Sequence, residues 1–225
     1  ESLAFDEATA APPGGDLQTL WADTYRRLAH TPTALRRRES LSAGDEVFPG
    51  YAVDQDRRWW LLHREIALGA SDVEERITAE LERDPSDSGE AAALGARASQ
   101  PSLDVKGEWL DRVRDPDNGL SLSRRRMIMS SLFPVVQTRL HDAFAEDILD
   151  TLTEVGETHQ DPFLSSYGHL IPGSCSPASV ARLAAAIAAS SELHPILMKA
   201  LRIAHQEDAR CVSISNHLRQ GRSAS

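Results

Sequence analysis

The chain is short of aromatic residues, at 5% of the total, of cysteine, with two, and of lysine, with Lys106 and Lys199 as its only examples. Each shortage excludes something. No apolar run reaches the roughly 18 residues that a membrane-spanning helix needs. Cys175 and Cys211 are too few for a disulfide scaffold and fit a reducing compartment, so a cytoplasmic location is expected. The opening ESLAFDEATAAPPGG has neither the basic n-region nor the apolar h-region of a secretory signal peptide. It also lacks an initiator methionine, which points to a chain cut from something longer. Acids outnumber bases 34 to 24, giving a net charge of −10, and this disfavours a general nucleic-acid surface. Alternating Val/Ile/Thr runs that would mark strands are missing.

Alanine and leucine fill the space instead, with 30 and 26 copies, and 22 of the 24 bases are arginine. These are strong helix formers, so an all-α chain is expected. Across 54–68, Trp59, Leu62, His63, Ile66 and Ala67 recur at three- and four-residue steps, with Gly69 placed as a C′ residue. Ser71 followed by Glu74 has capping-box spacing for a second helix with the stripe Val73, Ile77 and Leu81, ended by Asp84-Pro85. Helices around Ala92 and around Trp109 stop at Pro101 and at Asp115-Pro116, and Asp117-Asn118-Gly119 is a turn. A helix from Arg124 to Phe133 breaks at Pro134, and one longer helix carries Val136, Leu140, Phe144, Ile148, Leu149 and Leu152. Ser176-Pro177 supplies an N-cap with proline at N1, and a last helix runs from His194 to at least Arg210. Short helices with short connections predict antiparallel pairs stacked as an α-solenoid, a HEAT-like superhelical array, over 16–212. Residues 1–15 read as a disordered linker, and 213–225 as a mobile tail.

Motifs that carry chemistry are scarce. A zinc-peptidase helix needs two histidines at i and i+4 with a glutamate beside the first, whereas His63-Arg64-Glu65-Ile66-Ala67 has one histidine and a displaced glutamate. His63 is therefore expected in a helix–helix contact and Glu65 in solvent. His194 and His205 are separated by about 16 Å of helical rise, too far to share a metal. Cys175 near His169 lacks a nucleophile elbow, and buried structural cysteine is the commoner state. Glycine-rich phosphate cradles are absent. Trp59, Trp60 and Trp109 are expected in inter-helix packing. Two arginine runs remain, Arg36-Arg37-Arg38 and Arg124-Arg125-Arg126. Either run is a solvated face with ion pairs or a guanidinium cluster aimed at a carboxylate, and Arg124, Arg125 and Arg126 are the peptide-binding candidates.

One stretch has a familiar order. It reads Arg58-Trp59-Trp60-Leu61-Leu62-His63-Arg64, Ala67 and Gly69, then Ile77, Glu80-Leu81 and Arg83-Asp84-Pro85-Ser86. Gly89, Ala96-Arg97-Ala98, Pro101, Lys106 and Trp109 continue it, with a looser match at Asn118, Arg126, Phe133, Pro134, Gln137 and Leu140. This resembles the C-terminal helical domain of the M1 family of zinc aminopeptidases, of the actinobacterial aminopeptidase N type. The resemblance implies a HEAT-like domain that walls the substrate cavity and gates access of peptides to a zinc-containing catalytic domain of the same polypeptide. It implies no catalytic or metal residue in this chain, because the H-E-x-x-H and G-x-M-E-N motifs do not occur here. The partners expected are that catalytic domain and peptide substrates, with neither nucleic acid nor membrane. A reading from the residues alone is a free-standing α-solenoid that binds a peptide or protein partner.

Overall fold

A computed structural model describes all residues except 30, 44–46, 191 and 224–225. The described residues form fourteen α-helices and no strand. In chain order these are α1 (Ser2–Ala10), α2 (Asp16–Leu28), α3 (Pro32–Ala43), α4 (Gln55–Ala67), α5 (Val73–Arg83), α6 (Asp87–Ala98) and α7 (Leu103–Arg114). They continue as α8 (Leu122–Leu132), α9 (Thr138–Ala143), α10 (Ala145–Asp150), α11 (Leu152–Thr158), α12 (Asp161–Tyr167), α13 (Pro177–Ala189) and α14 (Pro195–Ser223). The architecture is all-α and solenoid-like, as the composition led one to expect.

The helix boundaries follow local chemistry. Asp54 caps α4 by accepting the Arg57 N–H at 2.9 Å, and Gly69 takes φ 92° just past its end. Ser86, Ser102, Ser121 and Ser176 cap α6, α7, α8 and α13 in the same way. The capping box expected at Ser71 does not form. The helix starts two residues later, after Asp72, whose φ of 56° leaves its side chain without a capping bond. The single long helix expected beyond Pro134 is broken into a 3-10 turn (Val135–Gln137) and α9, α10 and α11. Phe144 interrupts it by turning into the ring of Phe133, 5.6 Å away. Thr151 interrupts it again, its hydroxyl bonding back to the Asp147 carbonyl at 2.8 Å.

Both ends differ from expectation. Helix α1 occupies most of the expected linker and buries Ala4 and Ala8, while residues 11–15 are the turn into α2. There Gln18 accepts the Gly14 N–H at 2.7 Å and donates to the Pro49 carbonyl at 3.0 Å. Helix α14 runs on to Ser223, through most of the expected tail.

Three apolar clusters line up along the chain. The first joins α1, α2 and α3 to Phe48 and Leu61. The second holds Trp59, Leu62 and Ile66 of α4 against Ile77 of α5 and Ala92, Ala93 and Ala96 of α6. The third runs from Ala98 to Leu201 and includes Ile128, Ile148, Leu164 and Leu183. Helix α4 is the shared wall: adjacent residues on it serve neighbouring clusters, which is how a layered array transmits packing from one layer to the next.

Candidate functional site

Helices α4, α6 and α8 enclose a cleft of about 570 Å3. Alanine and glycine on α6 make it possible. A Cβ at Gly95 would lie 2.7 Å from Ser131 Oγ and 2.8 Å from His63 Cε1, so only glycine lets α4 and α8 approach α6 this closely. The cleft walls are Trp59, Trp60, His63 and Arg64 from α4, Ser88 and Ala92 from α6, and Met127, Ser130 and Ser131 from α8. Ala67, Ser99 and Pro134 close one end. An apolar cavity edged by a few polar groups is the usual form of a small-ligand or peptide side-chain site.

Its polar groups are fixed. His63 Nε2 donates to the Ala92 carbonyl at 2.7 Å, and burial pushes its pKa below the usual imidazole value. The ring is therefore neutral at pH 7, with Nδ1 as an acceptor. Trp59 Nε1 donates to Asp84 Oδ2 at 2.8 Å, and its ring meets His63 edge-on at 6.4 Å. Hydrogen bonds from Ser86 and Trp59 hold the Asp84 carboxyl below its ordinary value. Trp60 carries the Arg26 guanidinium over its ring at 4.4 Å.

His63 packs between helices as expected, but Glu65 is buried instead of solvated and takes an ion pair from Arg76 at 2.9 Å. Trp59 and Trp109 are core residues, whereas Trp60 is half-buried at the cleft.

The arginine runs do not converge on one point. Arg36 bonds Thr33, Arg37 lies over the Phe5 ring at 3.7 Å, and Arg38 is 2% exposed. Arg124 pairs with Asp87 at 3.1 Å and with Glu90. Arg125 donates to the carbonyls of Leu120 and Pro116 and lies over Phe163. Arg126 donates to Ser166 Oγ and the Pro162 carbonyl, each at 3.1 Å.

The cysteines correct another expectation. Cys175 and Cys211 form a disulfide with a Cα–Cα distance of 5.3 Å, so no free thiol exists and Cys175 is no partner for His169. The cysteine count therefore no longer supports a reducing compartment. The folding of the loop 171–176 onto α14 brings the two together, and Asp208 assists by accepting the Cys175 N–H at 2.5 Å. His194 turns to Asp161 at 3.5 Å, away from His205. Among the described residues, no three His, Cys, Asp or Glu side chains converge as a metal site.

Two buried polar residues organise the end of the cleft without a legible sequence signal of that role. Gln137 Nε2 donates to the carbonyls of Ala67 and Ser99, at 2.8 and 2.7 Å, and so ties together the C-terminal ends of α4 and α6. Lys106 is fully buried and donates to the Ala98 carbonyl at 2.7 Å.

No protein-family model matches the sequence. Over 146 residues, 65% of the chain, it is 32% identical to the Aminopeptidase N of Streptomyces lividans. The matched stretch is 17% of that relative, so the chain spans about a sixth of the protein it resembles.

Proposed function

We propose that this chain is a non-catalytic helical domain of an M1-type zinc aminopeptidase, which walls the substrate cavity and gates the access of peptides. The 32% identity to an aminopeptidase N over 65% of the chain carries the reading. What the chain itself offers is the cleft between α4, α6 and α8. Trp60, Met127 and Pro134 supply apolar contact for a peptide side chain, and His63 Nδ1 supplies an acceptor for a peptide N–H.

The test belongs in the intact aminopeptidase that carries this domain. Trp60→Ala should lower kcat/KM for peptides long enough to reach the cleft by about 5- to 30-fold, the loss expected from removing one large apolar contact. Hydrolysis of a single-residue chromogenic substrate should stay unchanged. Equal losses on both substrates, or none on long peptides, would reject the cleft as a peptide wall. Zinc-dependent turnover by the 225-residue chain alone would reject the non-catalytic reading.

A further inference from the structure

The glycine that lets α6 approach α4 and α8 also brings two polar groups of the cleft together. A Cβ on Gly95 would lie 2.7 Å from Ser131 Oγ and 2.8 Å from His63 Cε1. The hydroxyl from α8 and the imidazole edge from α4 therefore flank a gap too narrow for a methyl group. Both residues line the cleft, so one ligand group at the mouth of that gap touches both.

Each has a free hydrogen-bonding position, and the two are opposite in kind. His63 Nε2 gives its proton to the Ala92 carbonyl at 2.7 Å, so Nδ1 carries the bare lone pair of the neutral ring. Burial holds the ring neutral at pH 7. Nδ1 accepts from none of the described residues, and it is not sealed off from the cleft. Ser131 is its counterpart. Ser99 and Ser130, which line the same cleft, spend their protons on the Ala96 and Met127 carbonyls, at 2.8 and 2.9 Å. Ser131 has only the Met127 thioether, 4.0 Å away and a weak acceptor. Its proton is available.

A donor beside an acceptor complements a ligand group that is both. A carboxylate would set its charge against the Nδ1 lone pair, and an ammonium would give the Ser131 proton no acceptor. An amide satisfies both partners: its oxygen takes the Ser131 proton and its N–H goes to Nδ1. A trans backbone peptide unit points its N–H and C=O in opposite directions, so it does not serve two partners this close. A primary carboxamide carries one N–H on the same side as its oxygen. Trp60 and Met127, on the walls of the cleft, offer apolar contact to its methylene stem.

We infer that the cleft selects a primary carboxamide, held between Ser131 Oγ and His63 Nδ1 and presented by a glutamine or asparagine side chain of a peptide. The inference rests on the proposed peptide-wall role for the source of the amide, and on the two facing groups for its chemistry.

The experiment is an NMR titration of the 225-residue chain with 15N-labelled histidine at neutral pH, with His63→Phe identifying the His63 signals. The probes are propionamide, N,N-dimethylpropionamide, propionate, and the N-acetyl N-methylamides of glutamine and alanine. Propionamide and the glutamine derivative should move His63 Nδ1 saturably while Nε2 keeps its proton, with Kd in the millimolar range of such small ligands. The dimethyl amide has no N–H and the alanine derivative has only backbone amides, so neither should bind, and nor should propionate. Tighter binding of the glutamine derivative than of propionamide identifies a peptide side chain as the source, and the reverse would overturn that source. Ser131→Ala, which gives up only the weak contact to Met127, should lower affinity about three- to tenfold. No saturable shift at His63 would overturn the inference. So would a response to propionate, the dimethyl amide or the alanine derivative equal to that of the glutamine derivative, or an unchanged affinity in Ser131→Ala. The readout involves no hydrolysis, so its failure is distinct from failure of the Trp60→Ala test of the peptide wall.

Discussion

Lys106 shows how a single residue ties stability to pH. Its ammonium is buried, 5.8 Å from the Phe133 ring centre, and donates to a carbonyl at the end of α6. A helix C-terminus favours a cation, but burial outweighs it and pushes the pKa from 10.5 down to about 7. The unfolded chain keeps its proton up to pH 10.5, so between pH 7 and 9 it binds more protons than the folded chain. Stability should therefore rise by about 2 kcal/mol across that interval, seen as a rising midpoint in chemical denaturation. Lys106→Met should flatten the slope, and an unchanged slope in that variant would assign it to another group. His63 and His141 act in the same direction at lower pH, because burial pushes both below 6.5. Acidification through pH 6.5 should then remove stability further, as each ring protonates first in the unfolded chain. Little of this was readable beforehand. The placement of His63 followed from helical periodicity, but a lone lysine within Leu103–Arg114 gives no sign that it will be buried.

For the helices, what decides the site is a missing side chain. Gly95→Ala places a methyl group 2.7 Å from Ser131 Oγ, 2.8 Å from His63 Cε1 and 3.1 Å from Met127 Cγ, so either these side chains give way or α6 moves away from α4 and α8. The expected cost is about 1–3 kcal/mol, with an opened cleft and altered fluorescence of Trp59 and Trp60. The disulfide binds the loop 171–176 to α14 across 36 residues of sequence. Chain-entropy arithmetic puts its contribution at about 4 kcal/mol, an upper estimate. Cys211→Ser should lower the thermal midpoint and raise amide exchange in α13 and the second half of α14. A midpoint equal to that of the parent chain would show that the loop is held by Asp208 and packing alone. Helix starts at Asp54 and Ser176 were legible because capping is local chemistry. The breaks at Phe144 and Thr151 were not, since periodicity continues through them and the interruption comes from a ring packing against Phe133 and a hydroxyl bonding backward.

Across the whole molecule, the three clusters make stability a matter of layers. Ile148→Ala in the third cluster removes a fully buried side chain, at a cost of about 2–5 kcal/mol. In a layered array that cost should fall mainly on α7 to α14, leaving amide protection in α1 to α3 nearly intact by hydrogen-exchange mass spectrometry. A uniform loss along the chain would mean a single cooperative unit. Composition, helical periodicity and capping residues by themselves determined that the chain is helical, where helices such as α4, α8 and α13 begin or end, and which face of α4, α5 and α13 is apolar. Those are properties of contacts within a few residues. Tertiary structure alone decided that α1 belongs to the core, that Cys175 meets Cys211, and that Arg124, Arg125 and Arg126 face three different neighbours. It also decided that Arg125 comes to rest with His159 on one aromatic ring. Each of these depends on the distance between groups far apart in sequence, which local propensity does not encode.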